Sequence, residues 1–190
     1  MIIVADTTPL ISLMKIGHLD LLTELFGSVQ IPKAVFDELV YNSNFLEESK
    51  LIRECKYIQT VAIKDTSAVE LLRRSSGLDA GESEAIILSD SLKASLLLMD
   101  EVKGRQVAKQ MGIPLMGTIG LLLVGYKERI LTRQQIFECI DILKKSGRHI
   151  SESLYQQLLK KIKEINWKFV TEYRISYSVF IFKLSLVSLL

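Results

Sequence analysis

The chain has 190 residues, of which 48% are hydrophobic, and its 24 basic and 22 acidic side chains give a formal net charge of +2. This length suits one globular domain with a substantial core, and only ten glycines and three prolines exclude a low-complexity chain. The near balance of charge neither requires nor excludes a nucleic-acid partner.

Five short apolar runs are predicted β-strands, and longer helical segments lie between them. The strands are predicted at IIVA (2–5), SVQIP (28–32), YIQTVAI (57–63), SLLLMD (95–100) and IPLMG (113–117). Strands that alternate with helices predict an α/β fold. We therefore expect a parallel sheet of about five short strands flanked by helices, with further helices at the C-terminal end.

Several helix ends can be read from single residues. The first helical segment is expected to break near Gly17 and to stop at Gly27. The helix PKAVFDELV is expected to hold Pro32 in its first turn, where a missing N–H costs nothing. Thr132 and Gln135 have the spacing of a capping box, which predicts that another helix starts there.

The far C-terminus reads ISYSVFIFKLSLVSLL from Ile175 onward. This segment is apolar, but it contains Lys183 and several serines and is shorter than the roughly 20 residues that span a bilayer. We expect residues 1–165 to form the domain and residues 166–190 to be an apolar tail of unknown role, with no membrane span.

The cysteines and the N-terminus indicate the compartment. Cys55 and Cys139 lie far apart and form no CxxC pair, which argues against a zinc site or a disulfide framework. The N-terminus lacks a basic region followed by a long apolar one, so no signal peptide is expected. Together these features favour a reducing, cytoplasmic compartment.

Two aspartates directly follow predicted strands. Asp6 ends the first strand and Asp100 ends the fourth. In open α/β sheets, ligands bind at the carboxyl ends of strands near the topological switch point, so the two carboxylates share one crevice if these strands are neighbours. Alternatively, Asp6 starts a loop and Asp100 adds charge to a helix N-terminus.

Glu38 lies at the border of an apolar helical face. In PKAVFDELV the apolar arc contains Val35 and Leu39, Asp37 points away from it, and Glu38 lies beside it. The side chain of Glu38 can therefore point along the core-facing side of the helix toward a cleft, although a glutamate at such a border is more often a surface residue.

The segment LDAGESEAI contains two further candidates. Asp79 and Glu82 have capping-box spacing, which gives Glu82 a structural role. Glu84 enters a helix that is apolar nearly all round, and a buried carboxylate needs a cation or strong hydrogen bonds. Glu84 is therefore the stronger candidate of the two for a functional acid.

A divalent cation is one way to neutralise the grouped acids. At about 4 Å and an effective dielectric near 20, a pair of carboxylates repels by on the order of 4 kcal/mol. Oxygen ligands without histidine or cysteine favour Mg²⁺ or Mn²⁺ over zinc. Such an ion can activate water and stabilise the leaving oxygen of a phosphodiester.

The segments VADTTPLISL, IPKAVFDEL, LDAGESEAI and LLLMDEVKGRQVA, in this order, resemble the PIN domain. More narrowly, they resemble a prokaryotic PIN-like family related to VapC-type toxin ribonucleases. The resemblance implies a Rossmann-like sheet, a metal-binding acidic cleft and magnesium-dependent cleavage of RNA. It also implies an antitoxin partner and a homodimer.

Carried over segment by segment, the acids of that family fall on Asp6, Glu38, Glu84 and Asp100, with Asp6, Glu84 and Asp100 as metal ligands. The hydroxyl after the first acid falls on Thr8, with Thr7 as the second choice. Many PIN domains have aspartate where this chain has Glu84, and Glu82 remains a rival for that role.

RNA binding needs positive charge beside the acids. Lys103 and Arg105 lie on the helix after Asp100 and are the candidates for substrate binding, although an ordinary solvated helix face explains them equally well. The main alternative function is a PIN-fold protein that binds RNA or a partner without cutting.

Overall fold

A computed structural model describes residues 1–41 and 46–165 of the chain. The predicted apolar tail, residues 166–190, lies outside the described residues. The chain divides into two compact units, Met1–Gly117 and Thr118–Leu190.

The first unit contains a five-stranded parallel sheet, which confirms the predicted α/β fold. Its strands are β1 (Ile3–Ala5), β2 (Val29–Pro32), β3 (Ile58–Val61), β4 (Leu96–Leu98) and β5 (Leu115–Met116). They are arranged in the order β3-β2-β1-β4-β5, and each neighbouring pair is parallel. The chain builds outward from β1 in one direction and then from β4 in the other. The topological switch point therefore lies between β1 and β4.

Seven helices connect and flank these strands in the described part of the first unit. They are α1 (Thr7–Lys15), α2 (Leu21–Phe26), α3 (Lys33–Tyr41), α4 (Leu46–Glu54), α5 (Thr66–Ser76), α6 (Ala80–Ser91) and α7 (Val102–Gln110). The break expected near Gly17 separates α1 from α2, and Gly27 ends α2 with a φ of +79°. Pro32 is the last residue of β2, so α3 begins one residue later than the sequence predicted.

Helix α6 lies at the centre of the first unit. It is apolar nearly all round, as expected from the sequence, and it packs against both the sheet and the neighbouring helices. Ala85 and Ile86 of this helix share one buried cluster with Val4 of β1 and Leu97 of β4. Full burial of a side chain such as Ile86 or Leu97 stabilises the fold by roughly 1.5–3 kcal/mol. This packing holds the start of α6 at the carboxyl ends of the central strands.

The second unit is helical in its described residues, with α8 (Thr118–Lys127), α9 (Arg133–Lys145) and α10 (Glu152–Glu164). Helix α8 packs against both α9 and α10. The capping box at Thr132 and Gln135 is confirmed. Cys55 of the first unit and Cys139 of the second are free thiols. Within the described ranges, no helix combines the length and apolar character needed to cross a membrane.

Candidate functional site

Asp6 and Asp100 follow the two strands that meet at the switch point. Strand β1 pairs with β4 in a register that places Ala5 beside Leu98, and the N–H of Asp6 donates to the Leu98 carbonyl at 2.9 Å. Asp100 lies two residues beyond Leu98. The pairing of the first and fourth strands, on which the shared crevice depends, is therefore present.

Asp6 is a buried carboxylate, with only 3% of its surface exposed. Burial is the main cause that raises the pKa of Asp6 from its ordinary value of 3.8 to about 7. The negative charges of Asp79, Glu82 and Glu38 raise this pKa further, whereas a hydrogen bond from the Thr7 N–H lowers it. Asp6 is thus held where ionisation costs free energy, close to three other carboxylates.

The start of α6 brings Glu82 to the same place. Asp79 and Glu82 form the predicted capping box, in which the Asp79 side chain accepts from the Glu82 N–H at 2.8 Å and Glu82 accepts from the Asp79 N–H at 3.0 Å. Glu82 is only 9% exposed. Burial raises its pKa, and the charges of Asp79 and Glu101 act in the same direction. Oε2 of Glu82 accepts the capping hydrogen bond, and the negative charge of Glu82 raises the pKa of Asp6.

Glu38 reaches the site through a hydrogen bond from Thr7. The Thr7 hydroxyl donates to Oε2 of Glu38 at 2.7 Å, across 31 positions of sequence. The same Oε2 lies 3.4 Å from the position that a Cβ of Gly81 would occupy, so the carboxylate rests on the first turn of α6. Glu38 is an exposed residue, whereas Asp37 is half-buried and pairs with Lys33 at 2.6 Å. Of Asp37 and Glu38, it is Glu38 that accepts the hydrogen bond from Thr7, the residue next to Asp6.

Glu84 makes a different contact. Its Oε2 accepts a hydrogen bond from the backbone N–H of Ala34, in the first turn of α3, at 2.9 Å. The strong hydrogen bond that a partly buried carboxylate requires is therefore supplied by the backbone of α3. Residues two apart on a helix point to different sides, so Glu82 and Glu84 face different neighbours.

Asp100 lies against a glycine and an arginine at the carboxyl end of β4. A Cβ at Gly117 would lie 2.7 Å from Oδ1 of Asp100 and 3.3 Å from Nη1 of Arg105. The same Nη1 donates to the Met99 carbonyl at 2.9 Å. The carboxylate of Asp100 therefore occupies space that any residue larger than glycine at position 117 would fill.

The remaining sequence candidates lie around these acids. Lys103 donates to the Gly77 carbonyl at 2.9 Å, and its charge lowers the pKa of Glu82. Thr8 is half-buried, and its carbonyl accepts from the Ser12 hydroxyl. The resemblance to PIN domains placed the hydroxyl after the first acid on Thr8, with Thr7 as the second choice, and the hydroxyl that donates to Glu38 is that of Thr7. The direction in which Thr7 points depends on where α3 lies, which no local pattern shows.

The donor set fits a hard divalent cation. Asp6, Glu38, Glu82 and Asp100 offer carboxylate oxygens, which suit Mg²⁺ and Mn²⁺. Within residues 1–41 and 46–165, no three acidic, histidine or cysteine side chains already stand close enough to hold one ion. The pairing of β1 with β4 places Asp6 and Asp100 at one edge of the sheet, and Glu38 and Glu82 are close enough to raise the pKa of Asp6. Closure of these acids around an ion would require side-chain rotation.

A protein-family model described as a PIN domain matches residues 2–164. The chain belongs to the PIN-domain family. PIN domains are generally nucleases and typically use divalent metals, so this chain has a nuclease-type fold. No match was found among curated proteins or among solved structures.

Proposed function

We propose that this PIN domain is a Mg²⁺- or Mn²⁺-dependent endoribonuclease that hydrolyses phosphodiester bonds of RNA. The observation that carries the proposal is the burial of Asp6 beside Glu38, Asp79 and Glu82 at the switch point of the sheet. A carboxylate with a raised pKa among other carboxylates opposes folding, and such an arrangement is typical of functional sites. A bound divalent cation relieves the repulsion.

The four proposed acids come from different elements. Asp6 and Asp100 project from the ends of β1 and β4, Glu82 from the first turn of α6, and Glu38 from α3. When bound, the metal activates a water and stabilises the leaving oxygen of the phosphodiester. The strands and α6 are anchored in the core, so three of the four carboxylates start from rigid backbone.

The geometry favours Glu82 over Glu84 as the acid contributed by α6. The charge of Glu82 contributes to the raised pKa of Asp6, and its carboxylate is almost fully buried. Glu84 instead accepts the N–H of Ala34. We therefore propose Asp6, Glu82 and Asp100 as the metal-holding set, with Glu38 completing the catalytic acids.

Lys103, Arg105 and Thr8 are the proposed contacts to the RNA. Lys103 is an exposed residue whose ammonium group lies over Gly77 and close to Glu82. A cation next to the acids can attract a phosphate that the acids alone would repel. Binding should therefore weaken as the salt concentration rises.

The toxin-like role, the antitoxin partner and the homodimer rest on the resemblance to VapC-type proteins. A toxin-like role can be tested by the growth of cells that express the chain. Induced expression of the intact chain should arrest growth, and Asp6→Asn should abolish the arrest. Normal growth despite high levels of active nuclease would contradict the toxin role.

A non-catalytic PIN-fold protein is the second candidate. The exposed position of Glu38 favours the nuclease instead, because an exposed side chain can rotate toward an ion. The two functions differ in one assay: the nuclease cleaves RNA with Mg²⁺ or Mn²⁺ and stops with chelator, whereas the binding protein retains RNA uncut under both conditions.

A further inference from the structure

We propose that Glu84 is a positioning residue, which anchors the start of α3 and thereby sets the position of Glu38 in the crevice. This inference rests on the proposed function, since Glu38 is one of its catalytic acids. Glu84 is not among the proposed metal ligands Asp6, Glu82 and Asp100, and this inference gives its carboxylate a separate role.

The first step is the contact between Glu84 and the end of a helix. Helix α3 begins at Lys33, so the N–H of Ala34 belongs to its first turn and has no acceptor within the helix. Oε2 of Glu84 supplies that acceptor at 2.9 Å, from a position 50 residues further along the chain. A negative charge at a helix N-terminus is also favourable. Glu84 therefore holds α3 by its first turn.

The second step is the arrangement of α3 against α6. Ala34 and Glu38 are four residues apart and lie on one face of α3, while Gly81 and Glu84 are three apart and lie on one face of α6. Ala34 donates to Glu84, and Oε2 of Glu38 lies 3.4 Å from the place that a Cβ of Gly81 would occupy. The start of α3 therefore lies beside Glu84, and Glu38, one turn later, lies near the start of α6. Fixing the contact at Ala34 therefore fixes where Glu38 falls along α6.

Glu82 and Glu84 project from different sides of α6, which separates the proposed ligand from the proposed positioning residue. Glu82 and Glu84 are two residues apart, and side chains at this spacing leave a helix on different sides. The charge of Glu82 raises the pKa of Asp6, whereas Oε2 of Glu84 accepts the N–H of Ala34 in α3. The hydrogen bond of Glu82 lies within α6, so it orients the side chain without joining a second helix, whereas that of Glu84 ties α6 to α3.

A pair of matched substitutions tests this inference. Glutamine keeps an acceptor oxygen and loses the charge, both at Glu84 and at Glu82, where it also preserves the capping box. Mn²⁺ binding is measured by calorimetry and RNA cleavage by gel assay. We expect Glu84→Gln to stay within about threefold of wild type in both quantities, and Glu82→Gln to lose at least roughly tenfold in Mn²⁺ affinity.

The route through Glu38 is tested by a double-mutant cycle. Glu84→Ala removes the acceptor and should reduce cleavage by roughly tenfold or more, a loss that Glu84→Gln should largely avoid. In a Glu38→Gln background, Glu84→Ala should have little further effect, because it acts on a side chain that is already neutral. Full additivity of the two substitutions would overturn the inference. A Glu84→Gln protein as defective in Mn²⁺ binding as Glu82→Gln would overturn it too.

Hydrogen exchange of α3 distinguishes failure of this inference from failure of the nuclease proposal. In metal-free protein, Glu84→Ala should accelerate exchange at the start of α3, and Glu84→Gln should do so much less. Unchanged exchange in Glu84→Ala overturns the positioning role whatever the activity. A wild-type chain that neither binds Mn²⁺ nor cleaves RNA contradicts the nuclease function, while the exchange result still decides the role of Glu84.

Discussion

The Thr7 hydroxyl donates a 2.7 Å hydrogen bond to Oε2 of Glu38, joining the first residue of α1 to the helix after β2. Thr7 is buried, so its hydroxyl has few alternatives to this partner. The bond brings the most exposed of the proposed acids to the backbone that holds Asp6. Thr7 therefore couples two acids that lie 32 positions apart in the sequence.

Thr7→Val should disconnect Glu38 while preserving the shape of the buried side chain. Glu38 then loses its donor, and outer contacts of this kind are worth roughly 10–100-fold in metal affinity or activity. We expect cleavage to fall by about tenfold, and Thr7→Ser to restore most of it. Calorimetry measures the Mn²⁺ affinity of each variant, and a gel assay measures its cleavage of RNA.

Thr23→Val is the matched control for this substitution. The Thr23 hydroxyl donates to the Gly27 carbonyl at the end of α2, away from the acids. Thr23→Val should leave cleavage and Mn²⁺ affinity at wild-type values. Equal losses from both valine substitutions would show that Thr7 acts through general stability.

Asp6→Asn should stabilise the metal-free protein at alkaline pH. The folded chain raises the pKa of Asp6 from 3.8 to about 7, so the folded state binds this proton more tightly than the unfolded state does. The contribution of Asp6 to stability is therefore greatest below about pH 4 and falls as the pH rises through 7, whereas asparagine does not titrate. The rise in pKa corresponds to at most ~4 kcal/mol of lost stability.

Urea denaturation in chelator measures this effect. We expect the free energy of unfolding of Asp6→Asn to exceed that of wild type by ~1–4 kcal/mol at pH 8.5 and to match it near pH 4. Asp37→Asn is the control, because Asp37 forms a solvent-exposed ion pair with Lys33 that contributes little to stability, and the substitution should change the free energy of unfolding by less than ~1 kcal/mol at both pH values. A difference between Asp6→Asn and wild type that stays constant with pH would contradict the buried-acid account.

Two glycine-to-alanine substitutions should separate function from folding. At Gly117 the added Cβ meets Oδ1 of Asp100 at 2.7 Å, and at Gly104 it meets Sδ of the buried Met99 at 2.6 Å. We expect Gly117→Ala to reduce cleavage by at least about tenfold with a near-normal melting temperature, because the Asp100 carboxylate can rotate away from the new methyl. Gly104→Ala should instead cost ~1–3 kcal/mol of stability through overpacking. The reverse pattern would remove Asp100 from the proposed site.

Removal of the apolar tail should leave the fold intact. The parallel sheet is complete at Met116, and the PIN-domain match ends at residue 164. Truncation after Asn166 should therefore leave the melting temperature nearly unchanged. Truncation after His149 is the contrast, because it also removes α10 with its buried Leu158 and Ile162. A large loss of stability on truncation after Asn166 would show that the tail packs into the core.

The sequence predicted the parts of this molecule that depend on local rules. Strand–helix alternation predicted the parallel sheet, and the capping boxes at Asp79 and Thr132 were visible as residue spacings. The placement of Asp6 and Asp100 at one edge of the sheet follows from the pairing of β1 with β4, since the carboxyl ends of neighbouring parallel strands lie at the same edge.

The finer assignments depend on tertiary packing. Glu82 and Glu84 lie on a helix that is apolar nearly all round, so its periodicity marks no single face. Glu84 points to α3 because the first turn of that helix needs an acceptor there, a fact about two elements 50 residues apart. The choice between Thr7 and Thr8 likewise depends on the position of Glu38.

Mn²⁺ calorimetry and RNA cleavage assays on the same preparations of wild type and Asp6→Asn decide whether Asp6 belongs to a metal-dependent catalytic site. We expect wild type to bind Mn²⁺ and to cleave RNA, and we expect chelator to stop the cleavage. Asp6→Asn, although folded and at least as stable at pH 8.5 without metal, should lose both binding and cleavage because a metal ligand is gone. An Asp6→Asn protein that is destabilised yet still binds Mn²⁺ and cleaves RNA would contradict the assignment of Asp6 to the catalytic site.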